Sequence, residues 1–304
     1  MVRTGGFQSP NRGSTPRGTA RFNMKFLRIG QSNQEKPAII DNNNMIRDLS
    51  PLIKDLNPYT INFDTIDKIN NTSLEELPVV SKSLRIGACI SNPQKFIGIG
   101  LNYSDHAKET GLTPPNEPIL FIKANSCISG PNDNILIPKK SKKTDWEIEL
   151  GIVIGKKTQY ITEKESLDHI FGYCIVNDVS EREFQIERSG QWDKGKGCDT
   201  FGPIGPYLIT KDEIEDVQNL NLELKLNGKI MQEGNTNKMI FGVAYIVAYL
   251  SNFMTLYPGD IITTGTPPGV GMAMTPQVFL KSGDEMILKI DGLGSQKQKV
   301  ISSV

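Results

Sequence analysis

Read for its apolar and polar positions, the chain is mostly strand. Short apolar runs predict strands at 25–30, 37–40 and 45–48, followed by helix-like turns around 51–56 and 64–70. Residues 78 to 93 read as a connector. Two longer apolar runs follow, Trp146 to Ile154 and Phe171 to Asn177, and read as buried strands. Leu222–Leu226 and Lys229–Glu233 flank Asn227-Gly228, a strong hairpin signal. One long helix is predicted over about 240–255; it is apolar nearly all round, so its Tyr and Phe residues are assigned to the core. A capping box at Thr162 and Glu165 starts a helix that ends near His169, which is read as structural. There is no internal repeat and no strand–helix alternation of a doubly wound sheet, so the pattern predicts an α+β fold.

The first buried run carries two carboxylates. Residues two apart in a strand share a face, so Glu147 and Glu149 project together while Ile148 and Leu150 face the other way. Like charges this close need a compensating cation when buried. A solvated edge strand paired with Lys142 and Lys143 is the plain alternative. Asp178 ends the second run. Three carboxylates at strand ends, with positions left open for water and substrate, describe a catalytic Mg²⁺ or Mn²⁺ site.

Other segments add chemistry. From Gly98 to Gly111 an apolar strand passes into a polar turn and a short helix, where His106 and Glu109 share one face. A His beside a carboxylate is a poised general base; a surface pair is the alternative. The segment Tyr103 to Asn116 has little apolar surface to dock it, which predicts a lid ordered by substrate. Glycines flank Lys196, which lets backbone approach a ligand while an ammonium reaches in; a flexible loop is the alternative. The Thr/Gly/Pro stretch 264–271 offers backbone N–H groups to an anion but lacks the spacing of a nucleotide phosphate loop.

Together these motifs resemble the fumarylacetoacetate hydrolase family. The matching pieces are Gly100-Leu101-Asn102-Tyr103 with His106 and Glu109, then Trp146 to Gly151, Asn177 to Arg182, Lys196 to Pro206, and Thr264 to Gly271. They cover about residues 95 to 291 in the family's order. The resemblance implies a β-rich mixed β-roll with a small N-terminal α/β domain. It divides the chain into a disordered extension at 1–23, a small domain at 24–80 and a catalytic domain at 94–304. It implies a divalent ion, one per subunit, on Glu147, Glu149 and Asp178, with Mg²⁺ or Mn²⁺ expected and Ca²⁺ an alternative. It implies a water-activating dyad at His106 and Glu109, a substrate lysine at Lys196, and substrate contacts at Arg182, Gln185, Gly265 and Thr266.

The implied activity is metal-dependent hydrolysis of a carbon–carbon bond in a 2,4-dioxo acid, of acylpyruvate or 2,4-dioxo-3-deoxy sugar acid type. Alternatives within the family are a ureidoglycolate lyase, an oxaloacetate decarboxylase and a 2-hydroxyhepta-2,4-diene-1,7-dioate isomerase. A non-catalytic metal-binding protein would have no need of His106, Glu109 and Lys196. A homodimer is the implied assembly.

Composition narrows the partners. The 304-residue chain has a formal net charge of zero, which suggests no nucleic-acid or membrane-surface partner. Its four cysteines lack a Cys-x-x-Cys spacing, and Cys174 lies in an apolar run, so a reducing, cytoplasmic setting is expected. No run approaches the roughly 18 apolar residues of a membrane span. Residues 1–23 contain Arg but no acidic residue, like a mitochondrial presequence, yet their prolines and glycines oppose an amphipathic helix.

Overall fold

The computed structural model describes residues 24–105, 109, 111 and 113–303. Strands β1 (Lys25–Ile29), β2 (Lys36–Ile40) and β3 (Ile46–Asp48) form an antiparallel meander, edged by β4 (Val79–Val80). The helix Phe63–Asn70 lies between β3 and β4; the Asn62 side chain caps it by accepting from the Thr65 N–H. The chain then runs through β5 (Phe96–Gly100), β6 (Ile119–Ile122), β7 (Ile128–Ser129), β8 (Ile135–Ile137) and β9 (Thr144–Asp145). Next come β10 (Ile148–Ile154), β11 (Ile170–Asn177), β12 (Ser180–Glu181) and β13 (Gly202–Thr210). The last strands are β14 (Asn221–Leu226), β15 (Lys229–Asn235), β16 (Ile261–Thr263), β17 (Glu285–Ile290) and β18 (Gly294–Ser302).

The main sheet has the order β4-β3-β2-β1-β13-β11-β10-β16-β5-β6, with β7 added beside β13. It is mixed: β16–β5 and β13–β7 are parallel and the other pairs antiparallel. Pairing of β1 with β13 makes the N-terminal meander continuous with this sheet. A second sheet, β15-β14-β17-β18-β8, packs on it, and one hydrophobic core runs through both. Every residue of β10 and β11 is buried, which is why both read as unbroken apolar runs. Between the sheets the buried Gln296 side chain donates to the Ile175 and Gly205 carbonyls, both at 2.9 Å. Such buried amides need partners, and here they tie the two layers in register.

The predicted strands and the Asn227-Gly228 hairpin are present. The predicted long helix is a correction. It spans Val243–Ser251, because Gly242 is extended, at φ −70° and ψ 166°, and serves as the N-cap from which the helix starts. Ile246, Val247 and Leu250 are buried, but Tyr245 and Phe253 are exposed. Phe241, Tyr245, Tyr249 and Phe253 form a row of ring contacts at four-residue spacing along the outer face. His169 is structural as read, with Nδ1 2.8 Å from the Thr158 hydroxyl. Among the described residues no helix is long and apolar enough to cross a membrane.

Candidate metal centre

The β10–β11 ladder creates the centre. Ile148 pairs with Asn177, and the Asp178 N–H donates to the Glu147 carbonyl at 2.8 Å. Glu147 and Asp178 therefore face each other across adjoining strand ends, and Glu149 follows on the same side as Glu147. One carboxylate oxygen from each of the three lies within 4.8 Å of the others, and all three residues are buried. Ile148 and Leu150 point into the core, as alternation requires.

Three cations answer them. Lys196 Nζ lies 2.7 Å from Glu147 Oε2 and 2.6 Å from Asp178 Oδ2. Lys123, fully buried, sits 2.6 Å from Asp178 Oδ1 and donates to the Lys196 carbonyl at 2.5 Å. Arg182 Nη1 is 2.7 Å from Glu147 Oε1. The solvated-strand alternative fails: Lys143 pairs instead with Glu187. The flexible-loop alternative fails as well, since Lys196 ends a short helix, Asp193–Lys196, and is 2 % exposed.

Charge is not balanced evenly. Burial pushes the Glu147 carboxyl up, but Lys196 and Arg182 outweigh it and hold it well below the usual range. Burial lowers the Lys196 ammonium, but Asp178 and Glu147 outweigh it and keep the lysine charged. Among the described residues no lysine or arginine is bonded to Glu149. Burial, then Asp178 and Glu147, push its carboxyl well above the usual range. Its Oε2 accepts from the Thr263 hydroxyl at 2.5 Å and the Gly265 N–H at 2.7 Å. A cluster of hard oxygen donors with one carboxyl raised by burial and its acidic neighbours suits a divalent cation. The residues present fit that group.

The loop after β16 is an anion-binding loop whose anions belong to the protein. Its N–H groups were expected to be free; instead Gly265 donates to Glu149, Gly269 to both oxygens of Glu109 at 3.0 and 3.1 Å, and Gly271 to Asp145 at 2.7 Å. Gly265 has φ +93°, and a Cβ there would meet the Asn102 Cβ at 2.7 Å, so this close approach needs glycine. Thr266 donates to the Ile148 carbonyl at 2.9 Å and accepts from the buried Gln232 amide at 2.7 Å. Gln232 comes from β15, so the second sheet helps fix the loop.

A cavity of about 350 Å³ opens on the centre. Glu147, Glu149, Arg182, Gln185, Lys196, Gly265 and Thr266 all line it, so the structure gathers seven of the ten expected site residues on one wall system. Asp178 stands behind them on Lys196. Glu109 reaches the same loop through Gly269. His106 lies outside the described residues, as does part of the expected lid.

Three further residues shape the site although the sequence assigned them no role. Lys123 is a second buried lysine in an otherwise apolar strand end, a signal that was present. Asp145, fully buried, accepts from the Gly271 and Met272 N–H groups and from Arg182 Nε, holding the arginine and the loop together. Asn102 donates to the Thr264 and Phe241 carbonyls at 2.8 and 3.0 Å and joins three loops behind the cavity. The loop partners of Asp145 and both partners of Asn102 lie more than a hundred residues away in sequence, so neither contact could be read along the chain.

Comparison with known proteins fits this geometry. Residues 95–301 match the family model described as fumarylacetoacetate (FAA) hydrolase C-terminal. A relative in Burkholderia orbicola (strain MC0-3), provisionally named a hydrolase, is 57 % identical over 277 residues, 91 % of this chain and 98 % of that one. Among solved structures, a fumarylacetoacetate hydrolase from Exiguobacterium antarcticum superposes with a TM-score of 0.80 at 33 % identity, covering 92 % of this chain and 100 % of that one. A 2-hydroxyhepta-2,4-diene-1,7-dioate isomerase from Mycobacterium marinum gives 0.71 at 30 % identity, covering 92 % and 99 %. Maleylpyruvate hydrolase from Sphingobium sp. SYK-6, solved with manganese(II) and pyruvate, gives 0.77 at 26 % identity, covering 92 % and 100 %.

Proposed function

This chain belongs to the fumarylacetoacetate hydrolase family, and on that premise we propose that it is a divalent-metal-dependent hydrolase of 2,4-dioxo acids, cleaving an acylpyruvate between C3 and C4. The observation that carries the reading is the buried triad Glu147, Glu149 and Asp178, with the Glu149 carboxyl raised by burial and its acidic neighbours, set beside the charged Lys196 at a cavity. The manganese and pyruvate of the Sphingobium enzyme support it.

Glu147, Glu149 and Asp178 would hold Mg²⁺ or Mn²⁺, which supplies Lewis acidity toward the carboxylate and C2 oxygen of a 2-oxo acid. Among the described residues four carboxylates, Asp145 included, face three cations in this cluster. A bound dication therefore leaves the ionised cluster one charge positive, which favours a monoanionic substrate. His106, oriented by Glu109, takes a proton from water, and the resulting hydroxide adds to C4. Lys196 Nζ steadies the oxyanion that develops there. The C3–C4 pair then moves onto C3 as the enolate of pyruvate, and C4 departs as a carboxylic acid. Protonation at C3 completes pyruvate. Asp145 keeps Arg182 beside Glu147 throughout.

The second reading is isomerisation of a 2-hydroxydienoate, favoured by the likeness to the Mycobacterium marinum protein. It uses the same enolate-stabilising groups without water. The deciding experiment is product analysis with protein stripped by chelator and reloaded with Mn²⁺. Acetylpyruvate should give pyruvate and acetate in equal amounts. Metal-dependent double-bond migration in a hydroxydienoate, with acetylpyruvate left intact, would replace the hydrolase by the isomerase. Release of urea and glyoxylate from ureidoglycolate, or CO₂ from oxaloacetate, would make it a lyase.

A further inference from the structure

The cavity has two kinds of wall, and the second kind is not used by the chemistry above. Beyond the charged cluster its described lining is Ile99, Leu101, Phe121, Ile186, Trp192 and Met272. Lys196 Nζ lies 4.9 Å from the centre of the Phe121 ring, and that ring lies 5.7 Å from the Trp192 ring. Phe121 is 5 % exposed, whereas Ile186 is 47 % exposed at the mouth. Ile186 belongs to a π-helical turn, Glu183–Glu187, a local insertion that often marks functional sites.

Room for the indole is made on purpose by the backbone. A Cβ on Gly100 would meet the Trp192 ring at 2.4 Å, so β5 can carry only glycine where Trp192 lies across it. Of the described polar side chains near this wall, Arg182 and Gln185 are bonded to each other, Gln185 through Oε1 alone. Arg182 bonds Asp145, Gln185 and Glu147, and Gln185 Oε1 accepts from Arg182 at 3.0 Å.

The geometry points to an apolar acyl pocket: Phe121, Trp192 and Ile186 select 2,4-dioxo acids whose acyl group is an alkyl chain or an aryl ring, against polyhydroxylated 2,4-dioxo-3-deoxy sugar acids. This deepens the hydrolase reading and rests on it. The anionic end of the substrate goes to the charged cluster, so the group on C4 is left for the Phe121–Trp192 wall. Each methylene buried there improves kcat/KM by about fourfold. Each hydroxyl pressed against the rings without a partner costs about tenfold or more.

The test uses the Mn²⁺-loaded full chain with acetylpyruvate, butanoyl-, hexanoyl- and benzoylpyruvate, and a 2,4-dioxo-3-deoxy sugar acid. The proposal expects kcat/KM to climb along the alkyl series, benzoylpyruvate to be accepted, and the sugar acid to fall at least ~10-fold below hexanoylpyruvate. Trp192→Gln should flatten the hexanoyl-to-acetyl ratio, and Trp192→Phe should restore most of it. A flat series, or a preference for the sugar acid, overturns the pocket while leaving the hydrolase standing. If no dioxo acid is cleaved, the hydrolase reading fails. Binding then decides the pocket alone, followed by Trp192 fluorescence in a Trp146→Phe background. Affinity for straight-chain 2-oxo acids that tightens with length upholds it, and affinity independent of length overturns it.

Discussion

Replacing Asp145 by asparagine keeps its shape and removes one charge and one acceptor. In the native structure Oδ1 accepts from the Gly271 N–H at 2.7 Å and the Trp146 N–H at 2.9 Å. Oδ2 accepts from Met272 N–H at 3.0 Å and Arg182 Nε at 2.9 Å. Whichever way the new amide turns, its NH₂ faces at least two donors, and three on the Oδ2 side, where Arg182 Nη2 also lies at 2.8 Å. Two charge-assisted bonds are lost, each worth about 1.5–3 kcal/mol. Breaking a buried ion pair gives a similar figure, about 3–5 kcal/mol, because Arg182 stays buried beside it. The expected loss is therefore about 4 kcal/mol, a large share of the roughly 5–15 kcal/mol a domain possesses. Urea unfolding of chelated Asp145→Asn should show it as a lower midpoint with an unchanged slope. A loss below about 1 kcal/mol would refute the claim that Asp145 holds Arg182 and the 269–272 loop in place.

Other expectations follow from the same network. His106→Ala should still bind Mn²⁺ with near-native affinity by calorimetry yet lose about 100-fold or more in kcat; normal turnover would return His106 to a surface role. Lys196→Met removes the cation between Glu147 and Asp178, so the variant should bind Mn²⁺ more tightly while turnover collapses; weaker binding would show that the lysine organises the carboxylates rather than competing with the ion. Burial, then Asp178 and Glu147, raise the Glu149 carboxyl in the ion-free protein, so it holds a proton more readily there and gives it up to ligate. Metal affinity should accordingly rise with pH until that raised value is passed, with net proton release on binding. Calorimetry in two buffers of different ionisation enthalpy measures this, and zero release would contradict the raised carboxyl.

Much of the centre was legible because its signals are local. Glu147 and Glu149 lie two apart in a strand, and Asp178 closes the next buried run, so alternation alone placed the first two on one face. Lys196 was legible as a residue but not as a contact, since its bridge to Glu147 spans 49 positions. The long helix was misjudged because uniform apolarity does not say which face is covered; the Phe241–Phe253 aromatic row shields itself by ring contacts and leaves Tyr245 in solvent. The Thr/Gly/Pro loop was rightly read as an anion binder, but its anions, Glu109, Glu149 and Asp145, could not be paired to it without the fold. Asn102 shows the same limit: its neighbours suggested a site, and the structure makes it a joint between loops.

The central claim is that Glu147, Glu149 and Asp178 together hold one catalytic divalent ion. Titration of chelator-stripped protein with Mn²⁺, reading bound metal by calorimetry and pyruvate release from the same samples, tests it most directly. The account predicts one ion per chain, activity rising in proportion to occupancy, and loss of both in Glu149→Gln. Full activity in the stripped protein, or unchanged binding and turnover in Glu149→Gln, would contradict it.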